Sequence, residues 1–275
     1  DAYEDIESDD ARDVLWLSHS LLDRVERQTW TGAFAGPTIH LPGPSDMSIF
    51  GRDGTGWIAV PSQGRVRVYE RNSTLEKTFI QVPGDPRVVE INSVDGTAWI
   101  GTGEGRVFRY DTAFDPILNG HPLLGEWPVG GQVLAMALDV PENRVFVATR
   151  SRTDGTADSL RIVDVTDSTV TTAAYALRNV ADLAFDPVAR QLWISERGVP
   201  RAGQGRLSRA TDIGMILQSY APLEPFGIDL DAGGTCWVAD LRSERVLAIT
   251  VGGVIDLWST PIEGPYQVRV GEAAP

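Results

Sequence analysis

Three histidines, His19, His40 and His121, are the only side chains in this 275-residue chain whose ordinary pKa lies near neutrality. General acid–base chemistry at pH 7 would run through one of them, or through a carboxylate moved from its usual range. Their placement does not favour this. His19 ends a strand pattern, His40 falls on an outer strand, and His121 lies in a long loop, so no two of them are neighbours. Ser18-His19-Ser20 is adjacency and not a triad, because a triad is spatial and needs an orienting acid. The single Cys236 excludes an intrachain disulfide and a cysteine metal site, and beside Trp237 it reads as a buried thiol. No catalytic residue is assigned. A second set is more suggestive. Arg150, Arg152 and Asp154 stand in one long loop, and Arg197 and Arg201 in another, with Asp158 and Glu196 close by. Internal ion pairing and recognition of a partner are both open to these arginines.

The elements that must position these residues announce themselves as a repeat. The phrases Asp13-Val-Leu-Trp16, Gly54-Thr-Gly-Trp57, Gly96-Thr-Ala-Trp99, Asn143-Arg-Val-Phe146, Arg190-Gln-Leu-Trp193 and Gly234-Thr-Cys-Trp237 recur at steps of 41, 42, 47, 47 and 44 residues. Such a period means a solenoid, an array or a propeller. Each unit resolves into four short strand patterns, A to D from inside to outside. In the second these are Met47–Phe50, Gly56–Val60, Arg65–Tyr69 and Lys77–Val82, with Asp53-Gly54 as a hairpin turn. The sequence therefore predicts an all-β six-bladed β-propeller with four antiparallel strands per blade.

Inner strands begin near Asp46, Arg87, Gln132, Val180 and Phe226, five for six aromatic strands. The expected sixth is Pro265–Val270, joining the amino-terminal strands B to D and closing the ring. On this reading residues 1–12, with six acidic side chains, form a flexible segment. Residues 13–270 are one propeller, and 271–275 a tail. Polar residues on alternate inner-strand positions, such as Glu90, Asn92, Asp229 and Asp231, line a hydrated channel. The two long loops join strands B and C of blades four and five, which puts them side by side on the top face.

A net charge of −14 argues against nucleic acid, whose phosphates require a concentrated basic face. No stretch is apolar for long enough to span a membrane. Lys77 is the only lysine, a bias that suggests a high-GC bacterial genome. An extracytoplasmic location, periplasmic or secreted, is expected, although the chain opens on Asp1 and shows no export signal of its own.

Pro225-Phe-Gly-Ile-Asp-Leu-Asp-Ala-Gly-Gly-Thr-Cys-Trp-Val-Ala-Asp240, followed by Arg245-Val-Leu, resembles the NHL repeat. The wider clan includes the SMP-30/gluconolactonase group and the streptogramin lyase-like propellers. In the lactonases of that clan a divalent cation, usually Ca²⁺, sits on the propeller axis among oxygen ligands. Glu263-Gly264-Pro265 resembles their metal motif, which implies Glu263 as a ligand, with Asn179, Asp182 or Asp229 nearby. The second family motif, Pro-Asn-Gly or Pro-Asp-Gly, is replaced here by Pro225-Phe226-Gly227.

Two functions follow as expectations. The first is a non-enzymatic module that binds another protein or a larger complex through the top face of blades four and five. Its surface is Arg150, Arg152, Asp154, Arg197, Arg201, Phe226 and Tyr266. The second is a metal-dependent lactonase or esterase with Ca²⁺ or another divalent cation at the channel mouth.

Overall fold

The computed structural model describes residues 5–9, 14–29, 31–115, 117, 120–151, 158–198, 205–250, 252–253, 255–257 and 267. The fold is all-β and of six-bladed β-propeller type, with six four-stranded antiparallel sheets. Blade one is β1 (Asp5–Asp9), β2 (Val14–His19), β3 (Arg24–Thr29) and β4 (Ile39–His40); blade two is β5 (Asp46–Phe50), β6 (Thr55–Val60), β7 (Arg65–Tyr69) and β8 (Glu76–Gln81). Blade three is β9 (Pro86–Asn92), β10 (Thr97–Thr102), β11 (Arg106–Asp111) and β12 (Leu123–Pro128); blade four is β13 (Gln132–Asp139), β14 (Arg144–Arg150), β15 (Asp158–Asp164) and β16 (Thr169–Leu177). Blade five is β17 (Val180–Asp186), β18 (Gln191–Glu196), β19 (Gly205–Thr211) and β20 (Ile216–Leu223); blade six is β21 (Pro225–Leu230), β22 (Cys236–Asp240), β23 (Arg245–Ile249) and β24 (Ile255–Leu257). Blades one to three lie in one compact unit and blades four to six in another. No helix among the described residues is long and apolar enough to cross a membrane.

The second strand of each blade carries the recurring aromatic, because both of its faces are covered. On β6, Trp57 and Ala59 face a cluster that includes Val89, Ile100 and Phe108 of blade three. Ile58 and Val60 face Trp16, Val25 and Ile39 of blade one. A strand buried on both sides reads as a continuous apolar run, not as an alternation. The spacing between blades is tight enough to forbid a side chain at Gly56, where a Cβ would lie 2.6 Å from the Trp16 ring. The A–B hairpins end in left-handed backbone, supplied by Gly54 and Gly96 early in the chain and by Asn143 and Arg190 later.

One expectation is corrected. The inner strand of blade one is β1, which pairs antiparallel with β2 from Asp5↔Ser18 to Asp9↔Val14. Residues 5–9 are thus a strand and not part of a flexible segment. Their acids are compatible with burial because the neighbouring blade supplies donors: Met47 N–H donates to Asp5 Oδ2 at 2.9 Å. The stretch 265–270 lies outside the described residues except for Gln267, whose side chain presses against Gly227 of blade six.

Candidate functional site

The same bond recurs along the inner strands. Val89 N–H donates to Asp46 Oδ2 at 2.7 Å, and Ile228 N–H donates to Asp182 Oδ2 at 2.9 Å. Each carboxylate fastens its own inner strand to the next one. Asp182 also accepts from Leu183 N–H, and Asp229 from Leu230 N–H. In blades one to three the arrangement gathers like charges. Burial, with Asp5, Glu90 and Glu7 nearby, raises the Asp46 carboxyl well above the usual carboxylate range. Among the described residues no three His, Cys, Asp or Glu side chains converge as a ligand set. Glu263 lies outside the described residues.

Arg150 and Arg197, the two long-loop arginines among the described residues, fall on a connected surface in blades four to six. Arg150 donates to both oxygens of Asp158 at 3.0 and 3.3 Å, and to Asn179 Oδ1 at 2.8 Å. Asp158, 1% exposed, also holds the Val180 amide. Asn179 takes left-handed backbone, and its carbonyl accepts from Arg197 N–H at 3.0 Å. The Arg197 guanidinium then lies 3.8 Å from the centre of the Phe226 ring. Ser195 fixes that phenylalanine by donating to its carbonyl at 2.8 Å. Beside this line Glu196 accepts from Arg206, Ser208 and the Arg178 amide. Arg150, Asn179, Arg197 and Phe226, singled out separately in the sequence, form one row. Arg152, Asp154, Arg201 and Tyr266 lie outside the described residues.

The other chemically suggestive residues are structural or remote. His19 is buried, with Nε2 3.9 Å from Glu26 Oε2. His40 is exposed on the outer strand β4. Burial raises the Cys236 thiol well above its ordinary value, reinforced by Asp229, Asp182 and Asp231.

His121 is placed differently. It lines a cleft of about 580 Å³ between blades two and three, with Trp57, Val68, Asp53, Lys77 and Phe114 among its other walls. The His121 ring meets Trp57 and Phe114 edge-on, at 5.2 and 5.7 Å between centres. Nδ1 donates to the Asp111 carbonyl at 3.2 Å, and burial lowers the imidazole pKa against the pull of nearby carbonyls. Sequence reasoning missed this cleft because its walls come from two blades. The one available signal was the long loop between Asp111 and Pro122, which carries Phe114 and His121.

No protein-family model matches the sequence, and no curated protein matches it significantly. Solved structures do match in fold. Hydrazine synthase of Kuenenia stuttgartiensis superposes with a TM-score of 0.73 at 12% identity, over 89% of this chain and 75% of that one. Virginiamycin B lyase of Staphylococcus aureus gives 0.67 at 12% identity, over 92% and 84%. A functionally unknown protein from Desulfotomaculum acetoxidans gives 0.69 at 12% identity, over 97% and 88%. At these identities the likeness is one of fold, and the propeller scaffold carries many unrelated functions.

Proposed function

We propose that this chain is a non-catalytic β-propeller module that binds a protein partner through the row Arg150–Asn179–Arg197–Phe226. The observation that carries this reading is the Arg197–Phe226 stack, because arginine and aromatic side chains are the types that dominate interface energetics. It is also preorganised. Asp158 and Glu196, each 1% exposed, hold Arg150 and Arg206, so little side-chain entropy remains to be lost on binding. In sequence the same two loops also carry Arg152 and Arg201, a local excess of basic residues on an acidic chain that favours a partner with an acidic face. The test is site-specific photocrosslinking from position 226 in the source cell, compared with the same probe in an Arg150→Glu/Arg197→Glu variant. A discrete adduct that disappears in the variant is expected. No adduct from position 226, alongside adducts from another face, overturns the placement.

The second reading is a metal-dependent lactonase or esterase, favoured by Glu263-Gly264-Pro265. A bound cation would polarise an ester carbonyl and lower the pKa of a water. Elemental analysis and melting with and without added Ca²⁺ test it; a stoichiometric metal with a raised melting temperature supports it, and neither change removes it.

A further inference from the structure

The blades share a lateral row in which the aromatic of the second strand faces a residue of the third. Trp16 faces Arg27, Trp99 faces Arg109 and Trp193 faces Arg209. In each case the guanidinium covers the indole, at 5.0, 5.2 and 5.9 Å from the ring centre. In blade three the same Arg109 reaches the hairpin carboxylate, with a nitrogen 2.8 Å from Asp95 Oδ2. Tryptophan, arginine and turn aspartate therefore form a built guanidinium site inside the molecule.

Blade two has the tryptophan and the aspartate but not the arginine. Trp57 faces Val68, and Thr78 follows Val68 in the row. Asp53 is constructed as Asp95 is, with Oδ1 accepting from the Thr55 amide and hydroxyl at 2.9 and 2.7 Å. The Asp95 counterparts, from Thr97, are 3.0 and 2.7 Å. Among the described residues the second oxygen of Asp53 has only Lys77, at 3.4 Å, and both side chains are nearly half exposed. Where a guanidinium stands in three other blades, this blade has the 580 Å³ cleft. His121 and Phe114 wall it with two further aromatic rings. Of its two lining cations, Arg52 is already spent on the Ser93 and Val94 carbonyls. The volume falls within the range of small-molecule sites.

We infer that the cleft between blades two and three binds a guanidinium group on an aliphatic stem, supplied from outside the chain. Its planar head meets Asp53 Oδ2 as Arg109 meets Asp95, and its stem lies against Val68 and the Trp57–His121–Phe114 wall. Lys77 is the internal competitor for the same oxygen. The chemistry is shared by a free alkylguanidine and by the arginine side chain of a polypeptide. This site is separate from the Arg197–Phe226 surface and does not rest on it.

The test is an NMR titration of the whole chain with N-butylguanidinium, with the neutral isostere N-butylurea as control and a capped Ala-Arg-Ala peptide as a second arm. Saturable shifts of the Trp57 indole and His121 ring signals are expected, with the urea weaker by at least about ten-fold, since charge and a charge-assisted bond are both lost. Asp53→Asn should weaken the guanidinium by about ten-fold. Lys77→Met should tighten it by a few-fold, because a competing cation is removed. Val68→Arg should abolish it by filling the row. Should that buried substitution fail to fold, the two surface substitutions still decide the matter. A peptide that binds more tightly than butylguanidinium identifies a polypeptide as the source, and equal or weaker binding identifies a free cation. Equal affinity for guanidinium and urea, no saturable shift with either ligand, or Asp53→Asn and Lys77→Met variants that are folded and bind unchanged would each overturn the assignment.

Discussion

The carboxylate of Asp46 accepts from the Val89 amide at 2.7 Å, so the inner strand of blade two is fastened to that of blade three by a half-buried acid. The neighbours Asp5, Glu90 and Glu7, together with burial, raise its pKa. A folded-state pKa above the unfolded value means that the native state binds the proton more tightly. The resulting stabilisation is full below the unfolded pKa and is lost as pH rises through the folded one. Chemical denaturation between pH 4 and pH 8 should therefore show a component of stability that falls with rising pH and is missing in Asp46→Asn. Parallel profiles for the two proteins would remove Asp46 as the cause.

Strand β1 yields a sharper prediction. Removing residues 1–9 deletes the partner of β2 and the Asp5 acceptor of Met47. It also uncovers the edge of β2, including Trp16. Loss of cooperative thermal unfolding, or a stability loss above about 3 kcal/mol, is expected from exposing that much apolar surface. A flexible segment would be removed at no cost, and calorimetry separates the two outcomes.

Gly56 should not accept a side chain. Alanine there meets the Trp16 ring at 2.6 Å, and the ring is fully buried, so the blades must part. Gly56→Ala should cost about 1–3 kcal/mol in urea unfolding, the usual range for overpacking. Gly252→Ala provides the control, since its backbone is not left-handed and its Cβ would make only an ordinary contact at 3.7 Å with Thr250 Oγ1.

Arg190 combines left-handed backbone, φ 57°, with ion pairs to Asp139 at 3.0 Å and Asp212 at 2.8 Å. Substitution by alanine or glycine loses the same pairs, but only glycine relieves the backbone. Both variants should be less stable than the parent, with Arg190→Gly above Arg190→Ala by up to about 1 kcal/mol. The opposite order would mean that the backbone conformation is not under strain.

Much of the architecture was legible because its signals are local. Trp16, Trp57 and Trp193 sit in two-sided strands whose apolar runs and turn residues need no knowledge of neighbours. Strand β1 was missed because Asp5-Ile-Glu-Ser-Asp9 has the composition of a linker, and its acids become tolerable only once Met47 donates from another blade. A positional signal did exist: Asp5, Asp46 and Asp182 each stand eleven residues before a repeat tryptophan, and in blade six Phe226 holds that position. Of the candidate site, Arg150 and Arg197 could be picked out by loop length and residue type, and Asn179 and Phe226 through the family motifs in which they stand. Their order in a single row depends on the left-handed turn at Asn179, which residue type alone does not reveal. The cleft at Trp57 required comparing register partners across blades, since Val68 is unremarkable until set against Arg27, Arg109 and Arg209.

The amino-terminal strand also has a mechanical meaning. A load applied through residues preceding Asp5 pulls β1 from β2 at the Asp5↔Ser18 end, the unzipping direction, in which backbone bonds break one after another. The Asp5–Met47 bond lies at that first point of failure and ties it to a second sheet. A tethered molecule must therefore break a contact between two blades before the zipper starts to run.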